Sequence, residues 1–219
     1  VFELELTGAL FDRFISVGAI ALIVIFQEEI RSFFYRIGAR FNMDNIRDHL
    51  SHTRHQKEAQ QQVDQIILAC SHMSASKTGA LIVITNQQGL KEYADTGETV
   101  DAVISARMIE NIFFKNTPLH DGALIISNGR LQSAACILPV TKRQDLPKHY
   151  GLRHRAALGL AEKTDALAIV VSEETGRISV ALGNDIHTVN INELEHNYLA
   201  PAMGVEYNDK ATKKHKLLK

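Results

Sequence analysis

The sequence predicts an α/β protein: a sandwich built on a mixed β-sheet, with helices on both faces of the sheet. Three observations lead to this fold class. Short β-branched runs, such as residues 80–84 and 166–172, are typical of strands buried on both sides. The segments between them place apolar residues at helical spacing, and turn residues mark two hairpins. Because helical and strand segments alternate along the chain, we expect the helices to cover the sheet.

The composition is that of a globular protein with no general affinity for nucleic acid. The 219 residues are 45% hydrophobic and 22% charged, enough for one fair-sized domain and extra segments. With 24 basic and 25 acidic residues the formal net charge is −1, so the basic excess of a nucleic-acid binder is missing. Cys70 and Cys136 lie in apolar surroundings without metal-ligand spacing, which predicts buried free thiols.

The amino end predicts a membrane-proximal helix within residues 1–40. Its apolar stretch, residues 14–26, is followed by arginines among aromatic residues, as at the cytoplasmic edge of a membrane. The stretch spans only ~20 Å of a ~30 Å hydrocarbon core, so we expect further spans upstream of Val1. A signal-peptide core or a buried soluble helix is the alternative, but a signal peptide carries its positive charges before the apolar run.

A polar segment, residues 41–62, separates this helix from the domain and predicts a partly helical linker. An amphipathic helix follows, because apolar residues recur at helical spacing: Val63, Ile66, Ile67, Cys70 and Met73. We therefore place a globular domain at residues 63–190. A carboxyl-terminal helix and basic tail follow at residues 191–219.

The first half of the domain predicts a buried strand at residues 80–84, then a helix that Ser105 caps. One face of this helix is apolar: Met108, Ile109, Ile112 and Phe113. Residues 123–127 predict the next strand, and Asn128-Gly129 predicts the type I′ turn of a hairpin. In the second half, residues 153–164 predict a helix, residues 166–172 a buried strand, and residues 177–183 its hairpin partner.

His120 and Asp121 stand side by side just before a predicted strand. An imidazole and a carboxylate are ligands that Mn²⁺ and similar ions accept, and a carboxylate near a metal can help to deprotonate a hydroxyl. Gly122 would let a ligand approach the backbone closely. The pair alone is weak evidence, because an ordinary polar loop before a core strand contains the same residue types.

Arg153, His154 and Arg155 follow Gly151 at the amino end of a predicted helix. The helix dipole favours anions there by ~0.3–1 kcal/mol per charge, so three potentially cationic groups indicate a negative partner. Free backbone N–H groups and guanidinium groups suit a polyphosphate. A salt-bridged or solvated basic turn is the alternative.

Ser172, Glu173 and Glu174 follow a buried strand and enter a hairpin turn. A carboxylate could bind a metal and the hydroxyl could contact phosphate, although a polar turn has the same composition. A metal-bound acid, a phosphate clamp and a second acidic group are together the groups that nucleotidyl transfer uses.

Three motifs carry a family resemblance: TGALIVI, PLHDGALII and RHRAALGLAEKTDALAIVVSEETGRIS. In this order and spacing, over about residues 57–183, they resemble the catalytic (DAC) domain of bacterial diadenylate cyclases of the membrane-anchored class. The resemblance implies that domain's fold and the condensation of two ATP molecules into cyclic di-3′,5′-AMP and two pyrophosphates. It also implies activation by Mn²⁺, Mg²⁺ or Co²⁺ and a cytoplasmic catalytic domain at the cell membrane.

The resemblance also implies roles for single residues. Asp121, with Gly122, would activate the 3′-hydroxyl, and the metal ligands would be His120, Asp121 and Glu174. The phosphate-binding motif would be Arg153, His154 and Arg155. The nucleotide pocket would include Thr78, Gly79, Ala80, Ala123, Leu138, Leu152, Ser172, Glu173 and Glu174. Whether Glu173 or Glu174 acts stays open.

One departure is Gly151-Leu152, where anchored members often have Gly-Thr, which removes one hydroxyl near phosphate. The resemblance further implies a head-to-tail homodimer, because each protomer holds one ATP, and regulatory partners that include a membrane-bound regulator and a phosphosugar mutase. Two other functions remain. A His-Asp phosphohydrolase would be all-helical, whereas a hairpin follows His120-Asp121 here. A catalytically silent, membrane-tethered nucleotide-binding module would tend to lose its acids, and this chain keeps them.

Overall fold

The computed structural model describes residues 22, 25–27, 48–87, 89–147 and 149–205, with the backbone alone for residues 48–54. The chain divides into two compact units, residues 1–46 and 47–219, and the elements described below belong to the second. Most of the predicted membrane-proximal helix and the whole basic tail lie outside the described residues. Within the described part, no helix has both the length and the apolar character that a membrane crossing requires.

The second unit alternates helices and strands, as the sequence predicts. Its elements are α1 (Asp48–Ser76), β1 (Ala80–Ile84), α2 (Lys91–Ala94), β2 (Glu98–Val103), α3 (Ala106–Ile112), β3 (Ala123–Ser127), β4 (Arg130–Cys136), α4 (Leu152–Ala161), β5 (Leu167–Val171), β6 (Ile178–Leu182), β7 (Asp185–Val189), α5 (Ile191–Glu193), a π-helical segment (Leu194–Leu199) and α6 (Ala200–Ala202).

The strands form one seven-stranded sheet in the order β2-β4-β3-β1-β5-β6-β7. β1 and β3 are parallel and every other neighbouring pair is antiparallel, so the predicted mixed sheet is confirmed. The register places Ile82 of β1 beside Leu124 of β3 and Ile169 of β5. Since side chains alternate along a strand, these three residues share one face of the sheet.

Each face of the sheet packs against helices and forms its own hydrophobic cluster, so the predicted sandwich is confirmed. We call the first the α1 face; its largest buried side chains include Ile66, Met73, Ile82, Ile109, Phe113, Leu124 and Ile169. We call the second the α4 face; its buried residues include Leu81, Val83, Ala123, Ile125, Leu158, Ala168 and Ala181.

Local features follow the sequence closely, with two differences. The Ser105 hydroxyl accepts a hydrogen bond from Met108 N (3.3 Å), and Asn128 and Gly129 have φ of 49° and 69°, as a type I′ turn requires. However, Met108 is 41% exposed and does not join the apolar face of α3. The polar segment and the amphipathic segment before β1 form one continuous helix from residue 48 onward.

The two cysteines are free and buried, as predicted. Burial raises the pKa of Cys70 to about 12 and that of Cys136 to about 11. Both thiols therefore stay protonated at neutral pH, and neither is a reactive nucleophile.

Candidate active site

The topology brings residues of the three predicted polar clusters together at one end of the central strands. β1 and β3 are parallel, so both begin at this end, while β5 is antiparallel to β1 and ends there, with Val171 paired to Ala80. Gly79, Gly122 and Ser172 each adjoin the strand ends that meet there. Residues that are far apart in the sequence thus become neighbours at the centre of the sheet.

Arg153 joins these segments. Its Nη1 donates to Glu173 Oε2 (3.1 Å) and its Nη2 donates to the carbonyl oxygen of His120 (3.4 Å). The Arg153 side chain is 23% exposed. Its Nε is buried and has no hydrogen-bond partner among the described residues. One guanidinium therefore links α4, the loop before β3 and the turn after β5.

Gly79 lies directly against this ion pair. A Cβ on Gly79 would stand 2.7 Å from Nη1 of Arg153 and 3.1 Å from Cβ of Glu173. A side chain there would displace the end of the Arg153 side chain, so glycine at this position leaves room for the ion pair. Thr78 contacts Ser76 through their hydroxyls (2.9 Å). Ala80 is fully buried in the α1 face, so it exposes no surface to a ligand in this structure.

The loop before β3 orients His120 and Asp121. Nδ1 of His120 lies 2.5 Å from the carbonyl oxygen of Thr117. A carbonyl oxygen only accepts, so in the neutral form of the imidazole Nδ1 carries the proton and Nε2 has the lone pair. Asp121 is exposed. Gly122 has φ of 118°, and a Cβ there would stand 2.6 Å from the carbonyl carbon of Ala135, so this position requires glycine.

His120 and Asp121 offer the donor chemistry of a divalent metal site. A neutral imidazole nitrogen and a carboxylate suit Mn²⁺ and similar ions. Within the described residues, no group of three His, Cys, Asp or Glu side chains could hold a metal. The pair therefore fits an ion that takes its remaining ligands from water and substrate phosphate, as Mg²⁺ commonly does.

His154 is placed differently from its neighbours in the motif. Its side chain is buried and stacks on Tyr150, with ring centroids 4.5 Å apart and an interplanar angle of 2°. Burial, with a smaller effect of His149, lowers the pKa of His154 from 6.5 to about 4. The imidazole is neutral at pH 7, so the motif presents two cations rather than the three that the sequence allows. The sequence reasoning missed Tyr150, although its spacing of four residues from His154 is a signal.

The amino end of α4 is open to an anion. The first N–H groups of a helix have no intrahelical partner, and Gly151 provides no side chain to cap them. Arg155 points to another segment, where its Nη1 donates to the carbonyl oxygen of Arg143 (3.3 Å). Leu152 is 78% exposed. Leu138 and Ala123, predicted near the nucleotide, are buried in the α4 face.

The turn after β5 separates its three predicted residues. Ser172 is buried, and its hydroxyl accepts a hydrogen bond from Thr175 N (3.2 Å), so its side chain shapes the turn. Glu173 contacts Arg153, and Glu174 is exposed. Of the two acids, Glu173 is the one that bonds to the guanidinium.

This chain is similar to known proteins in sequence and in fold. The family described as "DisA bacterial checkpoint controller nucleotide-binding" (DAC) matches residues 67–186, and the "CdaA N-terminal transmembrane domain" matches residues 1–30. The cyclic di-AMP synthase CdaA of Bacillus subtilis is 40% identical over 81% of this chain and 63% of its own length. A diadenylate cyclase of Listeria monocytogenes is 38% identical over 84% of this chain and 66% of its own length. The chain thus spans slightly under two thirds of the length of these relatives.

Solved structures share the fold. The crystal structure of a double mutant of DacA from Staphylococcus aureus matches with a TM-score of 0.65 and 36% identity, over 67% of this chain and 98% of that chain. A hypothetical membrane-spanning protein from Bacillus cereus matches with a TM-score of 0.56 and 47% identity, over 58% of this chain and 62% of that chain. The family match covers more than half of the chain, and the strand-end site lies within it: this chain belongs to the DAC family of nucleotide-binding domains.

Proposed function

We propose that the chain is a diadenylate cyclase that condenses two ATP molecules into cyclic di-3′,5′-AMP and releases two pyrophosphates. The observation that carries the proposal is the convergence of three polar segments on Arg153, whose guanidinium contacts both Glu173 and the backbone of His120. The names of the relatives support the same reaction, since they include a cyclic di-AMP synthase and a diadenylate cyclase.

Different residues of the site have different roles in this reaction. In each half, a bond forms between a 3′-oxygen and an α-phosphorus, and the bond to pyrophosphate breaks. Asp121, exposed beside the site, accepts the proton of the attacking hydroxyl. Arg153 and the open amino end of α4 neutralise charge on the phosphates, and a phosphate oxygen would satisfy the buried Nε of Arg153.

His120 and Asp121 would hold a divalent ion. The sequence-based set of His120, Asp121 and Glu174 does not come together in this structure, because no three such side chains among the described residues could hold a metal. A bound Mn²⁺, Mg²⁺ or Co²⁺ would offset phosphate charge and lower the pKa of the attacking hydroxyl. His120 is prepared for this role because the hydrogen bond from its Nδ1 to Thr117 leaves Nε2 as the ligand atom.

The reaction requires two protomers. Each site holds one ATP, so the two 3′-hydroxyls reach the two α-phosphates only when two sites face each other in a head-to-tail homodimer. We further propose that the protein is held at the cell membrane by its amino-terminal segment, with this domain in the cytoplasm. The match of residues 1–30 to a transmembrane domain supports this location. Regulatory proteins would bind this chain at the membrane.

The test is product analysis. Purified full-length protein is incubated with ATP and Mn²⁺, Mg²⁺ or Co²⁺, or with a chelator, and products are separated by chromatography with mass detection. We expect cyclic di-AMP and pyrophosphate with metal, and a loss of about 10²–10⁴-fold in rate for Asp121→Asn. The matched control is Asp95→Asn, which removes another exposed carboxylate, at the end of α2. Specific activity should fall on dilution as the dimer dissociates.

Two results would overturn the proposal. ATP binding without pyrophosphate release under every metal would identify a silent nucleotide-binding module. Hydrolysis of ATP without cyclic dinucleotide would identify a phosphohydrolase. Full specific activity in a monomer at high dilution would remove the dimer from the mechanism while leaving the reaction in place.

A further inference from the structure

A groove of about 310 Å³ lies beside the candidate active site, where the end of α1, the turn between β5 and β6, and the segment after β7 meet. Its polar lining residues are Ser71, Ser74, Thr175, Arg177, Thr188 and Asn190. None of the described residues that line it is acidic. Arg153, His120 and Asp121 do not line it, so it is separate from the candidate active site.

Arg177 is the charged residue among those that line this groove, and Lys77 lies near it. Arg177 is exposed, and Lys77 passes alongside, with its Cγ 3.6 Å from where a Cβ on Gly176 would stand. Across the described ranges, neither side chain has an ion pair or a side-chain hydrogen bond. Two cations without an acidic partner produce a positive potential that attracts anions.

Two of the uncharged groups, Thr175 and Asn190, offer donors to the groove. Thr175 Oγ1 accepts a hydrogen bond from Arg177 N (3.2 Å), which leaves the hydroxyl proton free to donate. The Oδ1 of Asn190 accepts from Glu193 N (2.9 Å), which leaves its amide N–H groups for a ligand. Ser74 donates to the carbonyl oxygen of Gly176 (2.6 Å) and so holds α1 against the turn.

We infer that this groove is a second anion site and binds a small phosphate-bearing molecule. A phosphate group accepts paired hydrogen bonds from a guanidinium and further bonds from hydroxyl and amide donors, which is the set present here. The volume is at the lower end of the range of about 300–1,000 Å³ for ligand pockets, which suits orthophosphate, pyrophosphate or a short phosphate ester.

The groove shares a turn with the candidate active site. Ser172 N donates to the carbonyl oxygen of Arg177 (3.0 Å), and Gly176 N donates to that of Ser172 (2.9 Å), so residues 172–177 form one closed turn. Thr175 and Arg177 line the groove, while Glu173 of the same turn bonds to Arg153. An anion in the groove therefore contacts the turn that positions the partner of Arg153.

Equilibrium dialysis of the full chain with radiolabelled orthophosphate tests the inference. Binding is measured at constant ionic strength in the presence of saturating 3′-deoxy-ATP, which lacks the attacking hydroxyl and occupies a nucleotide site without turnover. We expect saturable phosphate binding that the nucleotide does not displace. Arg177→Gln should weaken it about tenfold, because it removes the charge-assisted bonds. Competition by pyrophosphate and by glycerol phosphate then distinguishes the sources of the phosphate group.

The matched control is Arg107→Gln, which removes an exposed arginine on α3 and should leave binding unchanged. Lys77→Gln is a second variant, expected to weaken binding, and thermal unfolding of each variant verifies its fold. Phosphate that 3′-deoxy-ATP displaces completely, or wild-type affinity in Arg177→Gln, would overturn the inference. Neither readout depends on cyclase activity, so a failure here is distinct from a failure of the proposed function.

Discussion

The two faces of the sheet are packed by different kinds of side chain. The α1 face buries large residues such as Ile66, Phe113 and Leu124. The α4 face relies more on small residues, and Gly159 of α4 is packed so closely that a Cβ there would stand 2.3 Å from the carbonyl oxygen of Pro139. The large residues contribute most of the apolar area removed from water, whereas the small ones fix the position of the helix that presents Arg153. The α1 face thus buries more of the large side chains, and the α4 face holds the helix that carries Arg153.

The largest expected effect on stability is at the α1 face. Phe113→Ala removes a side chain that is 1% exposed, and the cavity should lower the free energy of unfolding by about 3–5 kcal/mol. Denaturant unfolding measures this change. The neighbouring Phe114 is 67% exposed, so Phe114→Ala is the matched control and should cost far less. Equal losses in the two variants would contradict the packing described for this face.

The second effect is a pH dependence of the free energy of unfolding, and it originates at the α4 face. The pKa of His154 is lowered from 6.5 to about 4 in the folded chain, so between these values the unfolded chain binds a proton that the folded chain does not. Stability is therefore greatest above pH 6.5 and falls with decreasing pH, by about 1.4 kcal/mol per unit, towards pH 4. His154→Gln should flatten this slope in unfolding measurements at pH 7 and pH 5. The exposed His55→Gln is the control and should retain it.

Gly159→Ala should change the free energy of unfolding less than Phe113→Ala does, but it should lower activity by more than the loss of folded protein explains. Helix propensity alone favours alanine over glycine by about 1 kcal/mol. Gly159→Ala should nevertheless destabilise the fold by about 1–3 kcal/mol, because its Cβ meets backbone atoms of Pro139 and Thr141. Cyclase activity should fall more than the folded fraction does. Gly89→Ala, where nothing lies within 4 Å, is the control. A Gly159→Ala variant that is more stable and fully active would contradict the claim that close packing at Gly159 fixes the position of α4.

The smallest stability effect is expected at the ion pair. Glu173 is 55% exposed, so Glu173→Gln should change the free energy of unfolding by at most about 1 kcal/mol. Activity should fall because the neutral amide holds the Arg153 guanidinium less firmly. Kinetics and unfolding on the same samples separate the two effects, and Glu174→Gln compares the adjacent acid. A rate unchanged in Glu173→Gln would show that the pair has no part in catalysis.

The sequence predicted the central strands well because they are buried on both faces and appear as uninterrupted apolar runs, as in residues 80–84. It did not predict β2 or β7. These edge strands expose much of their surface, so neither has a long apolar run, and the pairing of β2 with β4 is also interrupted by a bulge between Thr99 and Ala102.

The polar clusters of the candidate site were identified by residue type, but their contacts were not. The Arg153–Glu173 pair depends on β5 running antiparallel to β1, which no local pattern determines. The burial of His154 depends on stacking against Tyr150, which residue types considered singly do not reveal. Local chemistry was therefore predictable, whereas partners set by topology were not.

The pairing of β1 with β3 also bears on the order of folding. These parallel strands are separated by α2, β2 and α3. Their pairing therefore closes a long loop, and the entropy lost in this closure opposes pairing until contacts between the strands have formed. Because Arg153 and Glu173 come from still later segments, the site is assembled only after β1, β3 and β5 have paired and α4 has packed on them. A partly folded chain would retain helices but could not bind nucleotide at the candidate active site. A measured rate of turnover would therefore come only from molecules that have completed folding.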